Sequence, residues 1–276
     1  MKIIKKIISI LLVVVGTPYL IYKCLIFANR FIFNVYCYIH GESVYTLTQS
    51  QIDNIMQQRI YLGSVLGEFI AIVILGIIFF FTKKSLYKRC NFKKMKPKKL
   101  GVIGLIMIGF NFLALTFIYY AQHFTTSYQS SEAAMHSSWF SPYELIGTII
   151  LVPIFEEILF RGAVFSVLKN NINIYVAILL QGVVFAYMHS MGGGIIQASY
   201  TFVLGLLLLF ASYYANSMFG DIFGHIIFNL FGLIIIPILQ AIYFNTILYI
   251  GVGLIFIILG IILYKRDMKG EKLKIQ

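Results

Sequence analysis

Seven polar or ionisable side chains interrupt the apolar second half of this sequence. They are Glu156, Glu157, Arg161, His189, Asp221, His225 and Asn229. Charged groups in a bilayer core cost a few kcal/mol each even on lenient scales, so such groups must face protein or water. Carboxylates, imidazoles and an amide are also the groups that can activate water and stabilise a developing oxyanion. The sequence therefore predicts a polar site that performs chemistry inside an apolar protein.

The two adjacent glutamates in PIFEEILFRG are predicted to have different roles. Glu157 and Arg161 are four residues apart, so they are predicted to pair on one helix face. Glu156 is rotated by about 100° from its neighbour and is the freer carboxylate. This predicts a structural role for Glu157 and a chemical role for Glu156. The alternative is that all three groups only hold helices together, but two glutamates with distant histidines favour chemistry.

The later polar residues lie in FAYMH at 185–189 and HIIFN at 225–229. A single histidine such as His189 at a helix end is more often structural than catalytic. His225 and Asn229 share a helix face and could donate hydrogen bonds to an oxyanion. They could also bond across helices, for about 1 kcal/mol or less each. Asp221 extends that face and is expected at the interface as a helix cap.

Composition predicts an all-α polytopic membrane protein. The 276 residues are 60% hydrophobic and 12% charged, with a mean hydropathy of +0.88, and apolar runs near the length of a spanning helix recur. Eight spans are predicted, at 7–28, 62–81, 100–121, 143–166, 173–191, 195–215, 220–240 and 245–264. We expect a single membrane domain over 1–276, with the polar site between late helices. Glu68, in the second span, is expected near the interface or bonded to a neighbouring helix.

Straight helices over these spans leave one difficulty. Glu156 would lie roughly 10 Å from the cytoplasmic side of its span, and His189 would lie near the outer side of the next. Span five must therefore tilt, start later, or follow an inner loop that reaches deep.

The basic residues predict topology. The net charge is +12, with lysines before the first span, nine basic residues in the 82–99 loop and five after the last span. The loops 29–61 and 122–142 have few or none, which is the positive-inside pattern. We expect a multi-pass cell-membrane protein with both termini cytoplasmic and anionic lipid near the 82–99 loop. Nucleic-acid binding is not expected. The first apolar run lacks a clear cleavage site, which favours a retained helix over a signal peptide.

Other reactive side chains have weaker patterns. Cys24, Cys37 and Cys90 show no metal-binding spacing and predict no disulfide framework. His123 and His136, in the polar loop 122–142, are expected to be solvated surface residues.

Together the motifs EExxxR, FxxxH and HxxxN, in this order on late helices, resemble the CAAX-protease and bacteriocin-processing family of intramembrane endopeptidases, also called the CPBP or ABI family. The resemblance covers about 142–240, which we take as the catalytic core. It implies hydrolysis of a peptide bond within the membrane, in a membrane-associated peptide or protein.

The resemblance also implies residue roles. The implied catalytic residues are Glu156, His189, His225 and Asn229. The implied supporting residues are Glu157, Arg161 and Phe185. Glu156 would be the general base with His189 beside it, and His225 with Asn229 would stabilise the oxyanion.

A metal and two other functions stay open at this point. The sequence has no His-Glu-x-x-His stretch, which excludes the usual zincin helix. Zn²⁺ could still be held by His189, His225 and Glu156 with one open position, although a metal-free site is favoured. A non-catalytic scaffold or bacteriocin-immunity protein of the same fold is the first alternative. A transporter is the second, but the sequence has no paired interrupted helices in two matching halves.

The substrate cannot be identified from the sequence. The Ile- and Lys-rich composition indicates a low-GC bacterium, where prenylated CAAX proteins are not expected. A leader peptide, pheromone precursor, bacteriocin or small membrane protein is the expected substrate.

Overall fold

The computed structural model describes residues 2–82, 84–126, 128 and 145–269, and this part of the chain is helical without a strand. Helix α1 comprises Lys2–Leu11 and Thr17–His40, joined by the π-helical turn Leu12–Gly16. The next four helices are α2 Gln49–Gln58, α3 Ile60–Phe80, α4 Leu86–Cys90 and α5 Lys98–Ala121. Helix α6 consists of Gly147–Leu151, Val152–Glu157, Ile158–Phe165 and Ser166–Asn171.

The remaining helices follow with short connections. The stretch Ile174–Ala215 contains α7, at 174–192, and α8, at 195–215. Helix α9 comprises Met218–Leu230, Phe231–Ile235 and Ile236–Ile242, and α10 is Thr246–Asp267.

Six of the described helical stretches are long and apolar enough to cross a membrane. They are Ile3–His40, Ile60–Phe80, Lys98–Ala121, Ile174–Ala215, Met218–Ile242 and Thr246–Asp267. The predicted class, an all-α polytopic membrane protein, is confirmed. The first helix is longer than the predicted span 7–28 because no residue breaks it before Gly41, which has a left-handed φ of 65°.

The stretch Ile174–Ala215 folds back on itself at two glycines. Gly193 has φ −117° and ψ 19°, and Gly194 has φ 58° and ψ −147°. A side-chain carbon added at Gly205 would lie 3.6 Å from the Cα of Gly182. In one straight helix these residues would be about 35 Å apart. Helices α7 and α8 are therefore antiparallel neighbours, at the positions predicted as 173–191 and 195–215.

Helix α6 corresponds to the predicted span 143–166, whose first two residues lie outside the described part. Two π-helical stretches, Gly147–Leu151 and Ile158–Phe165, flank the short segment Val152–Glu157. Pro153 lacks a backbone N–H, which loosens the helix before it, and π turns occur often at functional sites. Although eight helical segments lie near the predicted positions, the crossing of the bilayer by all eight stays a prediction.

Helix α6 contributes the centre of the core. Leu159, Ala163 and Val164 are completely buried, and Phe185 of α7 packs edge-on against Phe160 with ring centroids 4.9 Å apart. Around this centre α5 packs along α10, and α1 packs along α3. The interior therefore places α6, α7 and α9 side by side, which are the three helices that carry the predicted motifs.

The basic segment after α3 folds against other helix ends. Arg89 donates from Nη1 to Ser166 Oγ at 3.3 Å, and Asn91 donates from Nδ2 to the carbonyl of Asn216 at 3.2 Å. Lys98 pairs with Asp267, and the buried Lys99 donates to the carbonyl of Tyr214 at 2.5 Å. Part of the basic charge thus serves internal contacts, and lipid contact by the remaining lysines stays a prediction.

The minor predictions have mixed outcomes. All three cysteines are free and buried, which confirms the absence of a disulfide framework. His123 is exposed, as predicted, and donates from Nδ1 to the carbonyl of Tyr119 at 2.9 Å. His136 lies outside the described residues.

Candidate active site

The ion pair that the spacing predicts lies on α6. Arg161 Nε is 2.8 Å from Glu157 Oε2, and their side chains are 3% and 0% exposed. The guanidinium also donates from Nη2 to the carbonyl of Gly205 at 3.1 Å and lies 4.9 Å from the ring centroid of Phe185. Contacts from α7 and α8 therefore fix Arg161, and Arg161 in turn neutralises Glu157.

His225 of α9 lies between the two glutamates. Its Nδ1–H donates to Glu157 Oε1 at 2.8 Å, and its Nε2 is 3.5 Å from Glu156 Oε2. The side chain is 3% exposed, so the imidazole is removed from solvent. The buried ion pair of Glu157 and Arg161 is thus connected to Glu156 through one imidazole ring.

His189 of α7 approaches Glu156 from another direction. Its Nδ1–H donates to the carbonyl of Phe185 at 2.9 Å, within its own helix. Its Nε2 is 3.6 Å from Glu156 Oε1. Both separations from Glu156 exceed ordinary hydrogen-bond lengths, and the Glu156 side chain is 13% exposed. Glu156 is the freer carboxylate, with two imidazole Nε2 atoms next to it.

The depth difficulty disappears because α6 is longer than predicted. It continues to Asn171 rather than 166, so Glu156 lies fifteen residues before its end. His189 lies fifteen residues after the start of α7 at Ile174. Both side chains are therefore about 22 Å along their helices from the tight turn at 172–173. The sequence placed Glu156 and His189 at different depths because the predicted end of α6 was five residues too early. A tilt of span five is not needed to bring them together.

Helix α9 starts deeper than its neighbours. His225 lies seven residues after Met218, so α9 begins about 12 Å nearer the site than α7 does. The basic segment lies against this start: Met218 N–H donates to the carbonyl of Asn91 at 3.3 Å, and Ser217 Oγ donates to that of Lys93 at 2.5 Å. The segment thus supports the helix that presents His225.

Asn229 is placed one turn beyond His225 and bonds to α6. Its Nδ2 donates to the carbonyl of Thr148 at 3.0 Å, within the π-helical turn Gly147–Leu151. A side-chain amide carries two N–H bonds, so this contact orients Asn229 and leaves a second donor in its amide. The structure therefore brings Glu156, His189 and His225 together and holds Asn229 beside them.

Asp221 is part of the buried network and not a helix cap. It is completely buried, and its carboxyl group interacts electrostatically with that of Glu157. The expectation of an interfacial cap is wrong because Ser217 caps α9, with its Oγ accepting from the N–H of Phe219 at 3.2 Å. Its spacing from His225 placed Asp221 on the correct face, and the cap residue was misassigned.

Glu68 is a site residue that the sequence reasoning did not connect to the motifs. Its side chain is 6% exposed, and its carboxyl group interacts electrostatically with that of Glu156. Its Oε2 has no hydrogen-bond partner among the described residues. Of the two expectations for Glu68, contact with a neighbouring helix is the one that fits, because α3 buries this residue against α6. The sequence showed an acid in an apolar span but not which helix it would face.

The carboxylate and imidazole groups of the site raise the question of whether they bind a metal ion. Within the described ranges, no group of three or more His, Cys, Asp and Glu side chains is arranged to hold a metal ion. Both histidines do have their Nδ1 atoms bonded to an acceptor, as metal-binding histidines usually do. The same bonds also fix the imidazoles for metal-free chemistry, so the metal-free site stays a prediction and zinc stays its alternative.

Comparison with known proteins identifies the region that carries this site. Residues 138–231 match the family model described as type II CAAX prenyl endopeptidase Rce1-like. A protein of Lactococcus lactis subsp. cremoris, "UPF0177 protein in abiGi 5'region", is 29% identical over 181 residues, which are 64% of this chain and 75% of that protein. No solved structure matches significantly. The matched region contains all three motifs, and within residues 138–231 the chain is similar to the Rce1-like family of CAAX-type endopeptidases that its motifs resemble.

Proposed function

We propose that the chain is an intramembrane endopeptidase that hydrolyses a peptide bond in a membrane-associated peptide or protein. The observation that carries this proposal is the approach of two imidazole Nε2 atoms to one carboxylate, at 3.6 Å and 3.5 Å from Glu156. Both imidazoles are oriented by bonds from their other nitrogen atoms. A general base needs this combination of a partly accessible carboxylate and fixed neighbours.

Glu156 is the proposed general base. A water molecule beside it would lose a proton to the carboxylate as its oxygen attacks the peptide carbonyl carbon. His189 donates its Nδ1–H to a backbone carbonyl, so its neutral form has the Nε2 lone pair towards Glu156. That lone pair can accept a hydrogen bond from the same water and orient it. The proton held by Glu156 would then pass to the leaving amine.

His225 and Asn229 are the proposed oxyanion donors. Because Nδ1–H of His225 already donates to Glu157, its Nε2 donates only when the ring carries both protons. The Glu157 carboxylate holds this ring through Nδ1, so the buried ion pair fixes the orientation of the donor. Asn229 would use the N–H that does not bond to Thr148. Removing one such donor reduces rates by about 10²–10³ in other enzymes.

The test is comparative peptidomics of membranes from cells with the wild-type chain or Glu156→Gln. We expect peptides that depend on the wild type to disappear while the variant accumulates normally, because only proton transfer is lost. Asp53→Asn, which removes an exposed carboxylate on α2, is the matched control. Identical peptides from wild type and Glu156→Gln would refute the endopeptidase and favour the non-catalytic scaffold or immunity protein. A proteoliposome flux assay tests the transporter.

We propose a metal-free reaction, with zinc as the tested alternative. A zinc site would use His189, His225 and Glu156 as ligands and supply a more acidic bound water. Activity should survive a chelator that enters detergent micelles, and the purified protein should hold less than one equivalent of tightly bound metal. Stoichiometric zinc that leaves with the activity and restores it on return would replace the metal-free version and keep the endopeptidase.

A further inference from the structure

Glu68 lies on the face of α3 that packs against the catalytic segment of α6. A side-chain carbon added at Gly147 would lie 3.2 Å from Val65, and the ring centroids of Phe69 and Phe155 are 6.1 Å apart. Residues three and four apart share a helix face, so Val65, Glu68 and Phe69 all face α6. Glu68 is thereby directed towards the residues around Glu156, and their carboxyl groups interact.

The Glu68 carboxyl group has no positively charged partner among the described residues. Among the described residues that interact with Glu156, Arg161 is the permanent cation, and it is paired with Glu157 at 2.8 Å. Glu68 is 6% exposed and its Oε2 has no hydrogen-bond partner in the described part of the chain. A buried carboxyl oxygen without a hydrogen bond is destabilising. Glu68 thus offers a place that a cation on a bound substrate would complete.

The described residues around Glu68 do not supply that cation. A groove of about 510 Å³ lies beside the Phe69 and Phe155 rings, with an entirely apolar lining. The described residues that line it are Ile32, Leu62, Val65, Leu66, Phe69 and Phe155. Its two aromatic residues are the chain neighbours of Glu68 and Glu156. An apolar surface whose lining residues adjoin two glutamates in sequence matches an aliphatic chain that ends in a positive charge.

We propose that Glu68 is a specificity residue that binds a Lys or Arg side chain of the substrate beside the scissile bond. The substrate class is then an apolar membrane segment with a basic residue at the cleavage position. The aliphatic stem of that residue packs against the groove, and its charged end lies at Glu68, which leaves Glu156 for the water. This inference rests on the proposed endopeptidase function, since it assigns the substrate of the same site.

Binding gives a test that does not depend on cleavage. The probes are photo-crosslinkable Leu/Ala peptides of about 20 residues, in nanodiscs, with one Lys stepped through the central positions and matched peptides with Gln there. Coupling between close charge pairs predicts that the wild type binds the best Lys peptide about tenfold more tightly than its Gln partner. Glu68→Gln should reduce this preference to about twofold or less, whereas Glu68→Asp should keep most of it. Asp53→Asn should keep all of it.

Two results would overturn the assignment: equal binding of the Lys and Gln peptides by the wild type, or full Lys preference in Glu68→Gln. Glu68→Gln removes a buried charge and should fold, and Glu68→Asp provides a second folded variant that keeps the charge. Cleavage measured on the same samples separates the two proposals. Lys preference without cleavage would support recognition and refute the endopeptidase. Cleavage without Lys preference would support the endopeptidase and refute the role of Glu68 in recognition.

Discussion

Arg161→Met would remove the guanidinium but keep an apolar side chain of similar length. Glu157 would then be a buried carboxylate without its counter-ion, since the pair is 0% and 3% exposed at a separation of 2.8 Å. Removing one partner of a buried pair costs about 3–5 kcal/mol. The His225 Nδ1–H still donates to Glu157, so we expect the lower end, about 3 kcal/mol. At roughly 3 °C per kcal/mol for a chain of this size, the melting temperature should fall by about 10 °C.

The double variant Glu157→Gln/Arg161→Met separates stability from activity. Replacing both charges by neutral groups of similar volume is often neutral for stability, so most of the lost melting temperature should return. Activity should not return, because His225 would have lost the carboxylate that orients it. The measurement is a double-mutant cycle of thermal unfolding in detergent, with cleavage followed in parallel. If both single variants lost less than about 1 kcal/mol and their effects added, the pair would not neutralise a buried charge as argued.

Three further predictions concern the turn between α7 and α8, the basic segment and the topology. Gly194→Ala should destabilise the protein by about 1–3 kcal/mol in thermal unfolding, because Gly194 has φ 58° and ψ −147°. The control Gly251→Ala, whose added carbon meets no atom within 4 Å, should not destabilise it. Equal melting temperatures of the two variants would contradict the turn. The Cys90 thiol should resist alkylation at pH 8 until the protein is denatured, since it is 2% exposed and burial raises its pKa to about 12; rapid labelling of native protein would contradict its burial. Reporter fusions at residues 90 and 270 should read cytoplasmic and one at residue 45 external, and an external reading at 90 would reverse the topology.

The sequence was sufficient for the fold class and for the ion pair on α6. Both depend on a rule that applies residue by residue: a charged side chain in an apolar run must meet a partner. The pairing of Glu157 with Arg161 follows from helix geometry alone. The turn between α7 and α8 was also predictable, because Gly193 and Gly194 separate two apolar runs of spanning length.

The remaining site features depended on contacts between helices that are distant in sequence. The reach of His189 depended on where α6 ends, and an error of five residues in that end shifts Glu156 by about 7 Å. Glu68 precedes Glu156 by 88 residues, and only the packing of α3 on α6 brings them together. Asp221 was assigned to the correct face, but its partner Glu157 lies on another helix. Local spacing identifies helix faces, and tertiary packing decides which faces meet.

The adjacency of Glu156 and Glu157 explains why the chain concentrates its charges in one short stretch. Two neighbouring helix positions differ by about 100°, so one carboxylate can face Arg161 while the other lies beside His189. His225 contacts both, at 2.8 Å from Glu157 and 3.5 Å from Glu156. A proton that reaches Glu156 therefore changes the charge beside an imidazole whose other nitrogen is held by a neutralised carboxylate. One helical segment thus combines the fixed charge that orients the site with the freer carboxylate that we propose acts on water, and a single imidazole contacts both.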